Sequence, residues 1–122
     1  MTPPVPFEEL TEFQRRTLAN GCGPSSVPMR PPQFDFGDAC ERHDYTYAVG
    51  GTELDRVEAD RAFLVAMHEA ANRTWWPRRV WLRWVADRYY HAVRRYGRGS
   101  WRSRDPWMKP PTLAELMLEA KR

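Results

Sequence analysis

The sequence predicts an all-α fold: a small helical domain built on two antiparallel core helices. Three observations carry that expectation. One stripe at Phe36, Cys40, His43 and Tyr47, and another at Val57, Asp60, Leu64, Met67 and Ala71, advance in alternating steps of three and four, the spacing of a buried helical seam. Cap and stop residues fall at the ends of both segments. No run alternates polar and apolar as a half-buried strand would, so a small β ribbon is the most that is left open. The 122 residues suffice for one domain with one modest core, and 42% hydrophobic with 29% charged residues describes a soluble, folded chain.

Residues 6–20 (PFEELTEFQRRTLAN) predict a first helix, with acids early and arginines late as the helix dipole prefers. Residues 20–33 are dense in Gly, Pro and Ser and predict a loop. Residues 34–49 predict a second helix, stopped by Gly50-Gly51. Thr52, with Asp55 in the reciprocal position, caps a third helix running to about Arg73. Trp76-Pro77 opens a fourth, because proline suits a first turn, and it runs to Gly97. Its inward stripe is read as Leu82, Val85, Tyr89, Ala92 and Tyr96, leaving Arg83, Arg94 and Arg95 outward with Trp84 among them. Residues 98–111 are irregular, and Thr112 with Glu115 caps a short final helix.

Charge is unevenly spread. Residues 73–104 hold ten arginines and one acid, Asp87, and five of the six tryptophans, whereas residues 1–72 are acidic on balance. No apolar run approaches the roughly 20 residues that span a bilayer. The first ten residues lack the basic start and apolar stretch of a secretory signal. Cys22 and Cys40 are too few for a four-thiolate zinc site; they are either two buried thiols or one disulfide.

His43 and Asp60 stand where apolar residues belong. If the second and third helices pack antiparallel about the Gly50–Thr52 turn, the two lie level, each about 10–12 Å of helix from that turn. Asp60 can then reach the His43 imidazole, and an Asp that fixes the tautomer of a His is half of a general-base device. A satisfied buried pair with no chemistry is the plainer reading. The neighbour favours chemistry: Asp44 points about 100° away around the helix. A Cys22–Cys40 bridge would staple the Gly-rich loop onto this surface, and loop carbonyls with the Asp44 carboxylate would form an all-oxygen site suited to calcium. His68 and His91 lie on separate helices without a matching acid pattern and suggest no metal site.

Asn20-Gly21-Cys22-Gly23-Pro24, then Cys40-x-x-His43-Asp44-x-x-Tyr47, then Asp60 on the partner helix, resemble the phospholipase A2 superfamily, nearest in size and sparse cysteines to its small bacterial and fungal branch. The resemblance covers about residues 18–68. It implies calcium-dependent hydrolysis of the sn-2 ester of glycerophospholipids. His43 would be the general base, Asp60 its orienting partner, and Tyr47 a hydrogen-bond support for Asp60. Calcium would be held by Asp44 with carbonyls at Gly21, Gly23 and Ser25, near Asn20, and the Gly23 N–H would help stabilise the oxyanion. Asn20 stands where the bacterial branch tends to carry Asp, and Ser25 replaces a glycine. Residues 1–97 are then a catalytic domain and 98–122 a basic linker with a short C-terminal helix. The implied partner is an anionic phospholipid membrane surface, and the implied place of action is extracellular, outside the producing cell. The competing reading is a non-enzymatic Trp/Arg-rich module that binds membrane, nucleic acid or a larger assembly.

Overall fold

The computed structural model describes residues 5–18 and 35–120. Among these residues it is helical with no strand, as expected. After a 3-10 turn at Phe7–Glu9 come α1 (Glu12–Leu18), α2 (Gly37–Val49), α3 (Glu53–Asn72), α4 (Trp76–Tyr96), a second 3-10 turn at Gly97–Ser100, and α5 (Leu113–Ala120). Asn20, Gly21, Cys22, Gly23, Pro24 and Ser25, on which the loop expectations rest, lie outside the described residues. No helix among the described residues is long and apolar enough to cross a membrane.

The helix-breaking chemistry is local. Gly50 and Gly51 both take positive φ, 75° and 150°, and end α2 where an L side chain would be strained. The Thr52–Asp55 capping box opens α3 in both directions. Pro77 sits in the first turn of α4, where its missing N–H costs nothing. α2 and α3 run antiparallel across the Gly turn, and α3 and α4 pack along their length. The main core lies between these three helices, from Phe36 and Cys40 through Phe63 and Met67 to Leu82, Ala86 and Val93. A second cluster joins Phe7, Leu10 and Leu18 to Tyr45 and Val49 on α2 and Leu116 on α5.

Three expectations need correction. The first helix is not continuous over 6–20. Leu10 is extended, and a new helix begins after Thr11, whose N–H donates to Gln14 Oε1 (2.9 Å) while Gln14 N–H donates to Thr11 Oγ1 (3.1 Å). That reciprocal cap satisfies donors that an unbroken helix would otherwise use internally. The α3 seam is rotated: Arg56, Ala59, Asp60, Phe63 and Met67 are buried, while Val57 and Leu64 are half-buried. In α4 the buried residues are Leu82, Val85, Ala86 and Val93, and Tyr96 is exposed.

The stretch after α4 packs closely on the Gly turn. Trp101 is buried, stacks edge-on against Tyr47 at 5.0 Å, and donates its Nε1–H to Gly51 O (3.1 Å). An isolated parallel bridge pairs Gly51 with Ser103. Arg102 Nε donates to Ala48 O (2.7 Å), and Arg104 donates to Val49 O and Gly50 O. Two guanidinium groups thus satisfy the orphan carbonyls at the C-terminus of α2, where the helix dipole also favours a cation.

Candidate active site

His43 and Asp60 meet. The antiparallel register of α2 and α3 brings His43 Nε2 to 2.8 Å from Asp60 Oδ1, with His43 7% exposed and Asp60 fully buried. The imidazole is held between rings. Phe63 of α3 stacks on it at 4.3 Å and 23°, and Tyr47, one turn along α2, lies 4.3 Å away.

Asp60 is paired on both oxygens. Oδ1 accepts from His43 and from the Tyr47 hydroxyl (2.6 Å). Oδ2 accepts from Arg94 Nη1 (2.7 Å) and from Arg56 Nη1 (3.4 Å). A carboxylate buried without partners would take up a proton; this one receives donors around its whole edge. Arg56, 2% exposed, is itself fully occupied. Its Nε faces the Glu53 carboxylate at 3.3 Å, Nη1 also donates to Tyr47 Oη and Val93 O (3.2 Å each), and Nη2 donates to Arg94 O (3.3 Å). It therefore also satisfies carbonyls in the last turn of α4.

Protonation states follow. Burial pushes the Asp60 carboxyl up, but the hydrogen bonds from His43, Tyr47 and Arg94 outweigh it and hold the group below the usual carboxylate range. Asp60 is thus an anion that can only accept. Burial of His43 outweighs the support from Asp60 and lowers its pKa below the usual histidine value, so the ring is neutral at pH 7. A neutral ring facing an anion through Nε2 must carry its proton on Nε2, which leaves the Nδ1 lone pair available as a base. Burial, then the hydrogen bond to Asp60, raise the Tyr47 hydroxyl well above its usual range, so it stays a donor.

Asp44 follows His43 on α2 and is half-buried. Among the described residues no three His, Cys, Asp or Glu side chains converge on one point. A hard cation here would draw its remaining oxygens from carbonyls, and the six residues expected to supply and shape them, 20–25, lie outside the described ones. Cys40, one turn before Asp44, is 1% exposed, and no free thiol occurs among the described residues.

Arg56 and Arg94 were missed in the sequence. Arg94 was expected to face outward, but its side chain instead turns to Asp60. Arg56 carried a usable signal, since it lies four residues before Asp60 on the same helix face. Arg94 carried no such signal. The α3–α4 register that brings it to Asp60 is seen only in the structure, where the His68–Asp87 pair (2.8 Å) also spans the two helices.

No curated protein sequence matches the chain, and no solved structure does. Residues 12–97, from the start of α1 past the end of α4, match the family model of prokaryotic phospholipase A2. That span contains the whole His43–Asp60 network, and the chain belongs to this family of phospholipid hydrolases.

Proposed function

We propose that the chain is a calcium-dependent phospholipase A2 that cleaves the sn-2 ester of glycerophospholipids, with His43 as general base and Asp60 as its orienting partner. The observation that carries this reading is the buried His43 held through Nε2 at 2.8 Å from the buried Asp60, and the lowering of both groups supports a neutral ring beside an ionised carboxylate. His43 Nδ1 takes a proton from water as the water oxygen bonds to the ester carbonyl carbon. The tetrahedral intermediate then collapses, the C–O bond to glycerol breaks, and Nδ1–H returns its proton to the departing alkoxide. The products are a fatty acid and a lysophospholipid. Asp60 keeps its charge throughout and stabilises the imidazolium that forms between the two steps. Tyr47 donates to the same Asp60 oxygen that faces His43, Oδ1, and helps to fix the carboxylate. Calcium, held by Asp44 with carbonyls at Gly21, Gly23 and Ser25 close to Asn20, would polarise the ester carbonyl, and the Gly23 N–H would share the oxyanion.

A Cys22–Cys40 disulfide belongs to the same reading. Its support is that Cys40 is not a free thiol, and its role is to hold the loop beside α2. Such a bond suits an oxidising setting, so the enzyme is proposed to act outside the cell that makes it.

The test is release of fatty acid from phospholipid vesicles, with calcium and with a chelator. Release should require calcium, and magnesium should not replace it, because magnesium demands tight octahedral geometry. Asp44→Asn should abolish both calcium binding and release. His43→Gln should cut turnover by about 10²–10⁴-fold, the usual share of a positioned base, while leaving the fold intact. Full activity in chelator, or a folded His43→Gln protein with near-normal turnover, sinks the reading. A chain that binds vesicles and never releases fatty acid is the basic binding module instead.

A further inference from the structure

We propose that the exposed tryptophan–arginine face on the first half of α4 is the surface by which this chain lies on an anionic lipid bilayer, and that it recruits the enzyme without taking part in the chemistry. The inference rests on phospholipid being the substrate. Trp75, Trp76, Val80, Trp81 and Trp84 are between 43% and 71% exposed. Residues 76, 80 and 84 follow one another one turn apart along the helix. The opposite side of the same turns is buried through Leu82, Val85 and Ala86, so these indoles do not fill the core. So many large aromatics left in water on one surface mark an interaction site.

The chemistry of the face selects the partner. The Arg88 guanidinium lies 5.1 Å over the Trp84 ring and that of Arg78 lies 6.0 Å over the Trp81 ring, while Arg83 is exposed beside them. Asp87, the one acid in residues 73–104, is engaged by His68 at 2.8 Å. Arg78 is paired with Asp35 at 3.3 Å, so the positive charge of this apolar face rests chiefly on Arg83 and Arg88. Indole prefers the headgroup level of a bilayer, where its ring is sheltered and its N–H stays wet, and arginine meets lipid phosphate there. A second copy would present the same positive charge and be repelled. A single-stranded nucleic acid is held in a groove with stacking platforms, whereas these side chains stand out from the convex side of a helix.

Position separates this face from catalysis. Arg94, which touches Asp60, is ten residues beyond Trp84 and eighteen beyond Trp76, about 15 and 27 Å along the helix axis. Removing the indoles should therefore change how much enzyme sits on lipid, not how fast a bound ester is cut.

The experiment uses the full chain and vesicles of diether phosphatidylglycerol or diether phosphatidylcholine, which cannot be hydrolysed. Co-sedimentation should show tighter binding to the anionic vesicles, weakening as salt is raised. Trp76→Ala/Trp84→Ala should weaken that binding by about tenfold or more. It should leave hydrolysis of a dispersed short-chain phosphatidylcholine unchanged. Arg83→Gln/Arg88→Gln should weaken binding to the anionic vesicles alone, and it supplies the same test if the tryptophan variant fails to fold. Unchanged vesicle affinity in both variants overturns the proposal, as does equal wild-type affinity for the two lipids. Loss of oligonucleotide binding or of self-association, in place of vesicle binding, assigns the face to those partners and also overturns it. Wild-type binding to anionic diether vesicles without ester hydrolysis would refute the enzymatic reading while leaving the docking face standing.

Discussion

Asp60 takes part in four side-chain hydrogen bonds with none of its surface in water, and this sets how the molecule answers acid. Its folded pKa lies below the ordinary value near 3.8, so the unfolded chain binds its proton first as pH falls. The stabilisation from the ionised carboxylate is present above that ordinary value and is lost as pH falls through the lowered one. His43 is also lowered, from an ordinary 6.5. Only its neutral form is a base, so the acid limb of kcat/KM, followed at saturating calcium, should have its midpoint below 6.5. A midpoint above 6.5 would mean that Asp60 outweighs burial at His43. The two arginines should separate in mutation. Arg56→Met strips a buried charge of its partner at Asp60 and Glu53 of its own, and should cost about 3–5 kcal/mol in a denaturant melt. Arg94→Met, partly exposed and backed by Arg56, should cost about 1.5–3 kcal/mol and should reduce kcat more than it reduces stability. Equal, small losses in both would show that Oδ2 is satisfied by water instead. The sequence disclosed the His43–Asp60 pair because polar residues on a helical seam stand out, and the part of Tyr47 was implied by the family resemblance alone. It concealed Arg94 because ten arginines crowd residues 73–104 and nothing in their spacing marks the one that turns inward, whereas Arg56, four residues before Asp60, was legible.

At the scale of elements, the join between α4 and the following turn matters as much as the helices. Gly97 has ordinary φ, −75°, so its lack of a side chain answers to space, not to backbone. A Cβ there would lie 2.7 Å from the Tyr47 hydroxyl oxygen, closer than real contacts allow. Gly97→Ala should therefore push Tyr47 off Asp60, costing about 1–3 kcal/mol and lowering turnover. Tyr47→Phe removes the atom that is struck, so the double variant should be more stable than the sum of the single effects predicts. Additive losses in a double-mutant cycle would show that the clash is relieved elsewhere. Where helices begin and end was largely legible, because Gly50-Gly51, the Thr52–Asp55 box and Pro77 act within a turn of the chain. The break at Leu10-Thr11 was equally local, written as Thr11-x-x-Gln14, but the charge gradient across 6–20 suggested one helix and masked it. The rotation of the α3 seam from Leu64 to Phe63 was not legible, since both are apolar and only packing against His43 decides between them.

At the scale of the whole molecule, the proposed Cys22–Cys40 bond would tie the Gly-rich segment to the catalytic helix. Closing a loop of that length should contribute about 3 kcal/mol in the chain-entropy model. Alkylation followed by intact-mass measurement on protein purified without reductant should find no reactive thiol. Two alkylated cysteines in the native protein would refute the bond. The cluster of Phe7, Leu10, Leu18, Tyr45, Val49 and Leu116 has a consequence in time. The α2–α3 and α3–α4 pairs are neighbours in sequence and can form early, each across a short turn. Phe7 and Leu116 are roughly 110 residues apart, so their meeting must wait until the helices between them are in place. That terminal cluster should also be the first part to open. In native-state hydrogen exchange, amides of α1 and α5 should exchange by a cheaper, partial unfolding, while those around His43 and Asp60 exchange only when the whole chain opens. The catalytic pair would then keep its shape through excursions that loosen both of these outer helices, and the proton chemistry would be insulated from fraying at either extremity of the fold.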